Sequence, residues 1–281
     1  MLTTTLLTAA TLIAFAANSL LCRMALGEGT IDPISFTTLR LVSGALVLIP
    51  ISRVLAGTSV PKNSRGSWRA GFALFAYALG FSLAYVSLST GTGALILFAT
   101  VQVTMIGAAL VAGEKLRPVQ WVGASMALGG LIYLVLPGIS APDPVGATLM
   151  CVAGAAWGVY SLLGRGTRAP VAMTAGNFLR SAPMAIAVSA IALGSVHLET
   201  PGVLLALLSG MLTSGMGYIL WYTALRRLTT PQASIVQLLV PVLAAFGGVA
   251  FLAEHVSARL VIASALILGG VALGVWKGKA A

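Results

Sequence analysis

Long apolar stretches, interrupted by short polar or charged segments, dominate the pattern of this chain. Stretches without Asp, Glu, Lys or Arg include 2–22, 70–113, 118–142, 200–225 and 228–253. A transmembrane helix needs roughly 20 apolar residues to cross a hydrocarbon core about 30 Å thick. Each stretch is therefore long enough for one membrane-spanning helix, and the longest is long enough for two.

This pattern predicts ten transmembrane helices. The run Ser89-Thr90-Gly91-Thr92-Gly93 is rich in turn-forming residues and divides the longest stretch into a hairpin of two helices. The other connections are also short, so we expect an all-α integral membrane protein without an extramembrane domain. The predicted spans are 3–22, 33–52, 68–88, 93–112, 117–137, 145–164, 171–193, 202–225, 232–252 and 258–276.

Composition supports a membrane protein and excludes a soluble globular one. Hydrophobic residues make up 58% of the 281 residues and charged residues only 8%, with a mean hydropathy of +1.01. Soluble domains carry about 25% charged residues, which cover their surface. The N-terminus shows neither a basic region nor a cleavage motif, so we expect no removable signal peptide. Cys22 and Cys151 fall inside spans and form no metal-ligand motif, so we expect no disulfide, metal or cofactor.

The loop charges predict the orientation of the chain. With the loops assigned alternately to two sides, twelve Lys and Arg fall on the side of both termini and two, Arg23 and Arg259, on the other. Cytoplasmic loops are rich in Lys and Arg, so we expect both termini in the cytoplasm of a bacterium and the chain in its inner membrane. The net charge of +10 then reflects topology and indicates no nucleic-acid partner. The sequence leaves both a monomer and a dimer open.

The two halves of the chain resemble each other. Landmarks recur at an offset of 140 residues in three pairs, which are Arg40 with Arg180, Glu114 with Glu254, and Gly129 with Gly269. We therefore predict two five-helix repeats, 1–140 and 141–281. Since five is odd, the second repeat must be inverted relative to the first. Inverted repeats around a site near the middle of the membrane are a transporter architecture.

On these features the chain resembles the EamA-type branch of the drug/metabolite transporter superfamily. The resemblance rests on the ten helices, the run Trp157-Gly158-Val159-Tyr160-Ser161, the Arg of helices 2 and 7, and the Glu after helices 4 and 9. Within that branch the chain is most similar to bacterial exporters of amino acids, particularly aromatic ones. The resemblance implies export by alternating access and no enzymatic activity.

Aromatic and polar side chains recur at helical spacing on the first, third, fourth, sixth, eighth and ninth predicted helices. For any single residue, ordinary helix packing explains the pattern equally well. Together they concentrate polar groups on shared faces, which lipid gives no reason to do, so we predict a common substrate cavity. Phe15 and Phe81 extend these aromatic faces. The predicted cavity residues are Asn18, Ser19, Tyr77, Tyr85, Phe98, Gln102, Trp157, Tyr160, Tyr218, Trp221, Tyr222 and Gln237.

Such a lining suits a small-molecule substrate of the amino acid type. Aromatic faces stack on a phenyl or indole ring and attract an ammonium group. The amides of Asn18, Gln102 and Gln237 are suited to bind its amino and carboxylate ends. We further predict that Tyr85 and its repeat partner Tyr222 close opposite sides of the cavity.

Two charges and one proline inside the spans need separate explanations. Arg40 and Arg180 have no Asp or Glu within any span to pair with. Each must bind carbonyls, lipid phosphates, water or a substrate carboxylate, so a structural role and substrate contact both stay open. Pro241 lies within a cavity helix and is the predicted hinge, because proline interrupts the backbone hydrogen bonds of a helix. Gly-rich helices 5 and 10, with Gly270-x-x-x-Gly274, are expected to pack closely as a scaffold.

Three alternatives to an amino acid exporter are open. An exporter of drugs or other metabolites would want an intramembrane carboxylate to bind cations, and none is present. A membrane enzyme would need a catalytic cluster, yet both histidines fall in predicted outer loops. A channel is the third. The acidic residues all fall in loops or at span ends, where we expect solvent to reach them, so we also predict facilitated diffusion or exchange rather than proton coupling.

Overall fold

The computed structural model describes residues 2–56, 65–113, 117–138, 141–225, 236–237 and 239–275. Its helices are α1 (Leu2–Gly27), α2 (Pro33–Ala56), α3 (Trp68–Ala84), α4 (Thr90–Val111), α5 (Pro118–Val135), α6 (Pro144–Leu163), α7 (Pro170–Ile191), α8 (Thr200–Leu208, the π-helical segment Ser209–Met216 and Gly217–Leu225), α9 (Leu239–Leu252) and α10 (Ala258–Val275). Six of these helices are long and apolar enough to span a membrane, and α3, α9 and α10 are shorter apolar helices. The predicted all-α membrane fold with ten helices is confirmed.

The break between α3 and α4 differs from the prediction. Helix α3 ends at Ala84 and α4 begins at Thr90, so most of the predicted turn forms the first turn of α4. Gly91 packs there against Ala245, where an added Cβ would lie 2.7 Å from the Ala245 Cβ. Gly91 therefore permits close helix packing. The connection between α3 and α4 is 85–89, four residues earlier than the predicted turn.

Corresponding helices of the two halves of the chain have corresponding packing partners. Helix α6 packs against α3 and α4, and correspondingly α1 packs against α8 and α9. The pairs α2–α7, α4–α9 and α5–α10 each join equivalent helices of the two halves. This is the pattern that two related five-helix units produce. The division at 140/141 stays a prediction, because residues 139–140 lie outside the described part of the chain.

Glycines bring α5 and α10 into close contact. A Cβ added at Gly270 would lie 2.6 Å from the Gly123 carbonyl oxygen and 2.7 Å from the Ala127 nitrogen. Gly274 also faces Gly123, so the small residues of both helices form one interface. Side chains larger than hydrogen would force the two backbones apart.

The two ends of the bundle are named here by one residue each. The segments 28–32, 85–89, 136–138, 141–143, 192–199 and 253–257 lie at the Glu254 end, and the opposite ends of the helices form the Arg165 end. At the Glu254 end, the α1–α2 and α7–α8 loops are joined by an isolated bridge between Ile31 and Leu198 and by a 2.9 Å bond from the Glu199 nitrogen to the Thr30 carbonyl.

Asp32 strengthens this junction. Its carboxylate accepts the backbone N–H of Ser35 at 2.9 Å, at the start of α2, and that of His197 at 3.1 Å from the other loop. Burial alone would raise the pKa of Asp32, but the hydrogen bonds from Ser35, His197 and Ile34 outweigh burial and lower it. The carboxylate thus stays ionised and ties the two loops together.

Candidate functional site

A small cavity lies among α1, α3, α4, α6 and α8, at the centre of the bundle. Its volume is about 20 Å³, which is room for about one water molecule. The site is therefore closed around its own side chains. Its lining residues are Phe15, Asn18, Ser19, Tyr77, Phe81, Leu97, Phe98, Trp157, Thr213 and Tyr218.

Trp157 is the centre of the aromatic part of this lining. Its ring centroid lies 4.8 Å from that of Tyr77, 4.9 Å from Tyr218, 5.3 Å from Tyr160 and 6.2 Å from Phe15. Each such ring pair contributes about 0.5–1.5 kcal/mol beyond simple burial. Helices from both halves of the chain supply these rings, so the cluster joins the halves at the cavity.

The π-helical segment contributes Thr213 to the lining and hydrogen-bonds to Asn18, a polar lining residue of α1. The Asn18 side-chain oxygen accepts hydrogen bonds from Ser209 at 2.7 Å and from Thr213 at 3.0 Å. The Asn18 amide donates to the Tyr77 hydroxyl at 3.5 Å. Segments of π-helix are rare and occur frequently at functional sites. Here the segment directs three hydroxyls toward the amide of Asn18, since Ser214 also donates to its oxygen at 3.4 Å.

Arg40 lies directly behind this wall, with only 1% of its surface exposed. Its Nε donates to the Ser214 hydroxyl at 2.9 Å and its Nη2 to the Tyr77 hydroxyl at 3.0 Å. The guanidinium also stacks 5.2 Å from the Tyr77 ring centroid and 5.1 Å from that of Phe81. Nη1 has no hydrogen-bond partner, and no acidic side chain forms an ion pair with Arg40 within the part of the chain that the structure describes.

Arg180, the repeat partner of Arg40, lies far from the cavity wall. Its Nη1 donates to the carbonyl of Gly176 at 2.7 Å in its own helix and to that of Arg65 at 2.9 Å, just before α3. It therefore binds carbonyls at the Arg165 end, which is one of the roles that the sequence left open. The two arginines occupy equivalent places in the repeat but have different partners.

Tyr85 is buried at the Glu254 end rather than in the central cavity. Its hydroxyl donates to the Thr90 carbonyl at 3.2 Å, and its own carbonyl accepts a bond from Arg23 Nη1 at 3.0 Å. Arg23 also lies 3.4 Å from a Glu254 carboxylate oxygen. Tyr85 is thus part of a hydrogen-bonded network that closes this end of the bundle.

Glu254 is the anionic centre of that network. Its carboxylate accepts the Thr90 backbone N–H at 2.9 Å and the Thr90 hydroxyl at 3.1 Å, at the start of α4. Only 14% of its side chain is exposed. Solvent therefore reaches it only in part, because the α9–α10 loop folds back onto α4. Its repeat partner Glu114 lies outside the described residues.

A second, larger cavity of about 400 Å³ lies at the Arg165 end. Arg165, Arg168, Ser67 and Asn177 are among its lining residues. The Asn177 amide donates to the Tyr160 hydroxyl at 3.4 Å, so the inner wall of this cavity adjoins the aromatic cluster. Asn177 was not predicted, since nothing in the sequence separates it from a packing residue of α7.

The remaining predicted site residues are not part of the lining of the small cavity. Trp221 packs on Phe15 with ring centroids 5.8 Å apart, and Tyr222 is buried next to Gly164. Gln102 is buried on α4, and Gln237 is half-buried. Pro241 is buried in the first turn of α9 as described, so its role as a hinge stays a prediction.

Nearly the whole chain matches the sequence profile of one protein family. The sequence profile of the EamA-like transporter family matches residues 2–136 and 144–276. The protein PA1977 of Pseudomonas aeruginosa is 50% identical over 270 residues, which are 96% of this chain and 93% of the relative.

Two relatives carry names that state a substrate. The aromatic amino acid exporter YddG of Ancylobacter novellus is 28% identical over 275 residues, covering 94% of this chain and 96% of the relative. The threonine/homoserine exporter RhtA of Salmonella typhimurium is 27% identical over 247 residues, covering 83% of this chain and 78% of the relative.

Proposed function

Because the chain belongs to the EamA-like transporter family, whose members are membrane transporters and not enzymes, we propose that it exports amino acids, above all aromatic and other apolar ones. The observation that carries this proposal is the Trp157-centred cavity, in which closely packed, tilted rings lie beside the hydrogen-bonding groups of Asn18 and Thr213. Rings suit an apolar side chain, and the amide and hydroxyl suit the amino and carboxylate groups. The exporter names of YddG and RhtA support the same class of substrate.

Transport proceeds by alternating access of the two ends to this cavity. The network of Glu254, Arg23 and Tyr85 closes one end, whereas a cavity of about 400 Å³ approaches the aromatic cluster from the other. The loop charges assign the Arg165 end to the cytoplasm. An exporter must collect its substrate there, so this conformation is closed toward the periplasm, with Tyr85 and Tyr222 as the two gates.

Counterflow in proteoliposomes tests this function. Vesicles that hold the purified protein and a high internal concentration of unlabelled Phe are diluted into a trace of radiolabelled Phe. Labelled Phe should accumulate transiently and saturably, and internal Trp or Met should replace Phe. Vesicles without protein are the control. Linear, non-saturable equilibration would indicate a channel, and no uptake of any amino acid would contradict the proposal.

The driving force is the solute gradient itself. Proton coupling normally uses an intramembrane carboxylate or imidazole, and the described cavity lining contains neither. Arg40 stays protonated, because guanidinium does not release its proton in proteins. An imposed pH gradient at clamped voltage should therefore leave Phe at its equilibrium distribution. Uphill accumulation driven by that gradient alone would contradict facilitated diffusion and exchange.

A further inference from the structure

We infer that Arg40 is the receptor for the carboxylate of the transported solute, an inference that rests on the proposed export of amino acids. Three observations converge on this residue. It is a buried cation, its described hydrogen bonds go to the neutral hydroxyls of Ser214 and Tyr77, and Nη1 has no partner among the described residues.

A cation in this position lacks the partner that buried charges normally have. Buried arginines are usually compensated by an acidic side chain, since hydroxyls and aromatic faces offset only part of the loss of water. Among the described residues, the one ion pair between an arginine and a carboxylate joins Arg23 to Glu254, and Arg40 has no acidic partner. An anionic ligand is therefore the missing partner, and a carboxylate fits because it accepts two parallel N–H bonds from one guanidinium.

Two aromatic side chains contact both the cavity and the Arg40 guanidinium. Tyr77 and Phe81 line the cavity, and their ring centroids lie 5.2 and 5.1 Å from the Arg40 guanidinium. The Tyr77 hydroxyl holds both Arg40 Nη2 and the Asn18 amide. A solute carboxylate that displaces this hydroxyl gains Nη2 together with the unpartnered Nη1, and its ring is then placed against Trp157. Binding and opening of the wall are thereby coupled through Tyr77.

This arrangement predicts selection for a carboxylate and not for an amine. Two analogues of Phe separate these groups, since 3-phenylpropionate has the carboxylate alone and 2-phenylethylamine has the amine alone. In wild-type counterflow, 3-phenylpropionate should compete with labelled Phe at least about tenfold better than 2-phenylethylamine does. A difference of tenfold corresponds to about 1.4 kcal/mol, the lower range of a charge-assisted hydrogen bond.

Substitutions of Arg40 complete the test. Arg40→Gln should lower Phe transport at least about tenfold and remove the preference for 3-phenylpropionate, and Arg40→Lys should restore part of that preference because it restores the charge. Arg180→Gln is the matched control, and it should leave the preference unchanged, since Arg180 binds carbonyls at the Arg165 end. Size-exclusion chromatography of each variant establishes that the protein is folded.

The outcomes distinguish this inference from the proposed function. Normal Phe counterflow with equal competition by the two analogues would overturn the role of Arg40 and leave amino acid export intact. The same holds if folded Arg40→Gln keeps the carboxylate preference. Absence of any Phe counterflow by the wild type would overturn both. If Arg40→Gln does not fold, the wild-type competition series and Arg40→Lys decide the question.

Discussion

In the proposed function, Trp157 provides the main ring contact for a solute in the cavity. Its ring lies against Tyr77 and Tyr218 at centroid distances of 4.8 and 4.9 Å, and only 5% of its surface is exposed. A phenyl or indole ring of a solute that enters the cavity replaces part of these ring contacts with similar ones. Stacking of this kind favours aromatic solutes without requiring a single orientation.

Replacing Trp157 should therefore change specificity. In Trp157→Ala the half-saturation concentration for Phe should rise by up to about tenfold, from the ~0.5–1.5 kcal/mol of an aromatic pair, while that for Thr changes little. Radiolabelled counterflow at a series of concentrations measures both. Trp157→Phe is the control, since it keeps a ring and leaves a smaller void. Equal increases for Phe and Thr would show a packing defect and not a lost platform.

Half of the twelve predicted cavity residues line the small central cavity, and its role as the substrate site stays a prediction. These six are Asn18, Ser19, Tyr77, Phe98, Trp157 and Tyr218. The lining residues that the sequence did not indicate have physical explanations. Thr213 was missed because the π-helical segment changes the register of α8, so a regular helical repeat assigns it to another face. Leu97 carries no signal that separates it from any core residue. The partners of Arg40 depend on contacts between distant helices, which spacing along the chain does not reveal.

Among the helices, α5 and α10 form a contact that depends on glycine. Gly270 is buried against the backbone of Gly123, whereas the neighbouring Gly269 is exposed and has no atom within 4 Å of an added Cβ. Both glycines are in the same helix, but Gly270 contacts α5 and Gly269 is exposed. The glycine spacing predicted close helix approach for α5 and α10, because small residues permit it in membranes. That the two helices approach each other follows only from the structure.

The pair offers a matched test of helix packing. Gly270→Leu should lower the melting temperature of the detergent-solubilised protein by several degrees, because the side chain would overlap the Gly123 carbonyl. Gly269→Leu introduces the same side chain one residue away, toward the outside of the bundle, and should leave the melting temperature nearly unchanged or raise it. Equal effects of the two variants would show that the α5–α10 contact does not stabilise the fold.

The α9–α10 loop acts on α4 through Glu254. Removal of its carboxylate takes the acceptor from the Thr90 backbone N–H and the ion-pair partner from Arg23. In the proposed transport cycle this loosens the Glu254 end. Nothing in the sequence places Glu254 on Thr90, because the two are 164 residues apart.

Glu254→Ala should therefore make the cavity more accessible from the Glu254 end. The reporter is Ser19→Cys in a chain whose Cys22 and Cys151 are replaced by Ala. Its reaction with a membrane-impermeant maleimide added to intact cells should be at least several-fold faster when Glu254 is also replaced. Glu28→Ala, an exposed acid at the same end, is the control and should not change the rate. An unchanged rate in Glu254→Ala would show that this network does not hold the end closed.

At the scale of the whole molecule, one end of the bundle is tied by hydrogen bonds and the other end contains a cavity. The Glu254 end is joined by the Asp32 and Glu254 contacts, and the Arg165 end contains a cavity of about 400 Å³. The repeat of the sequence predicts that an exchange of roles between the halves gives a second conformation of similar energy. Ten helices and their order followed from hydrophobic pattern, whereas which end is closed follows only from the folded contacts.

Access to the central cavity from both sides is the most direct test of this account. In the same background, Ser19→Cys is labelled by an impermeant maleimide in intact cells and, separately, in inside-out membrane vesicles. The account predicts reaction from both sides, faster from the inside-out face, with each reaction slowed by saturating Phe. Labelling from one side only, unaffected by Phe, would contradict alternating access of an amino acid site.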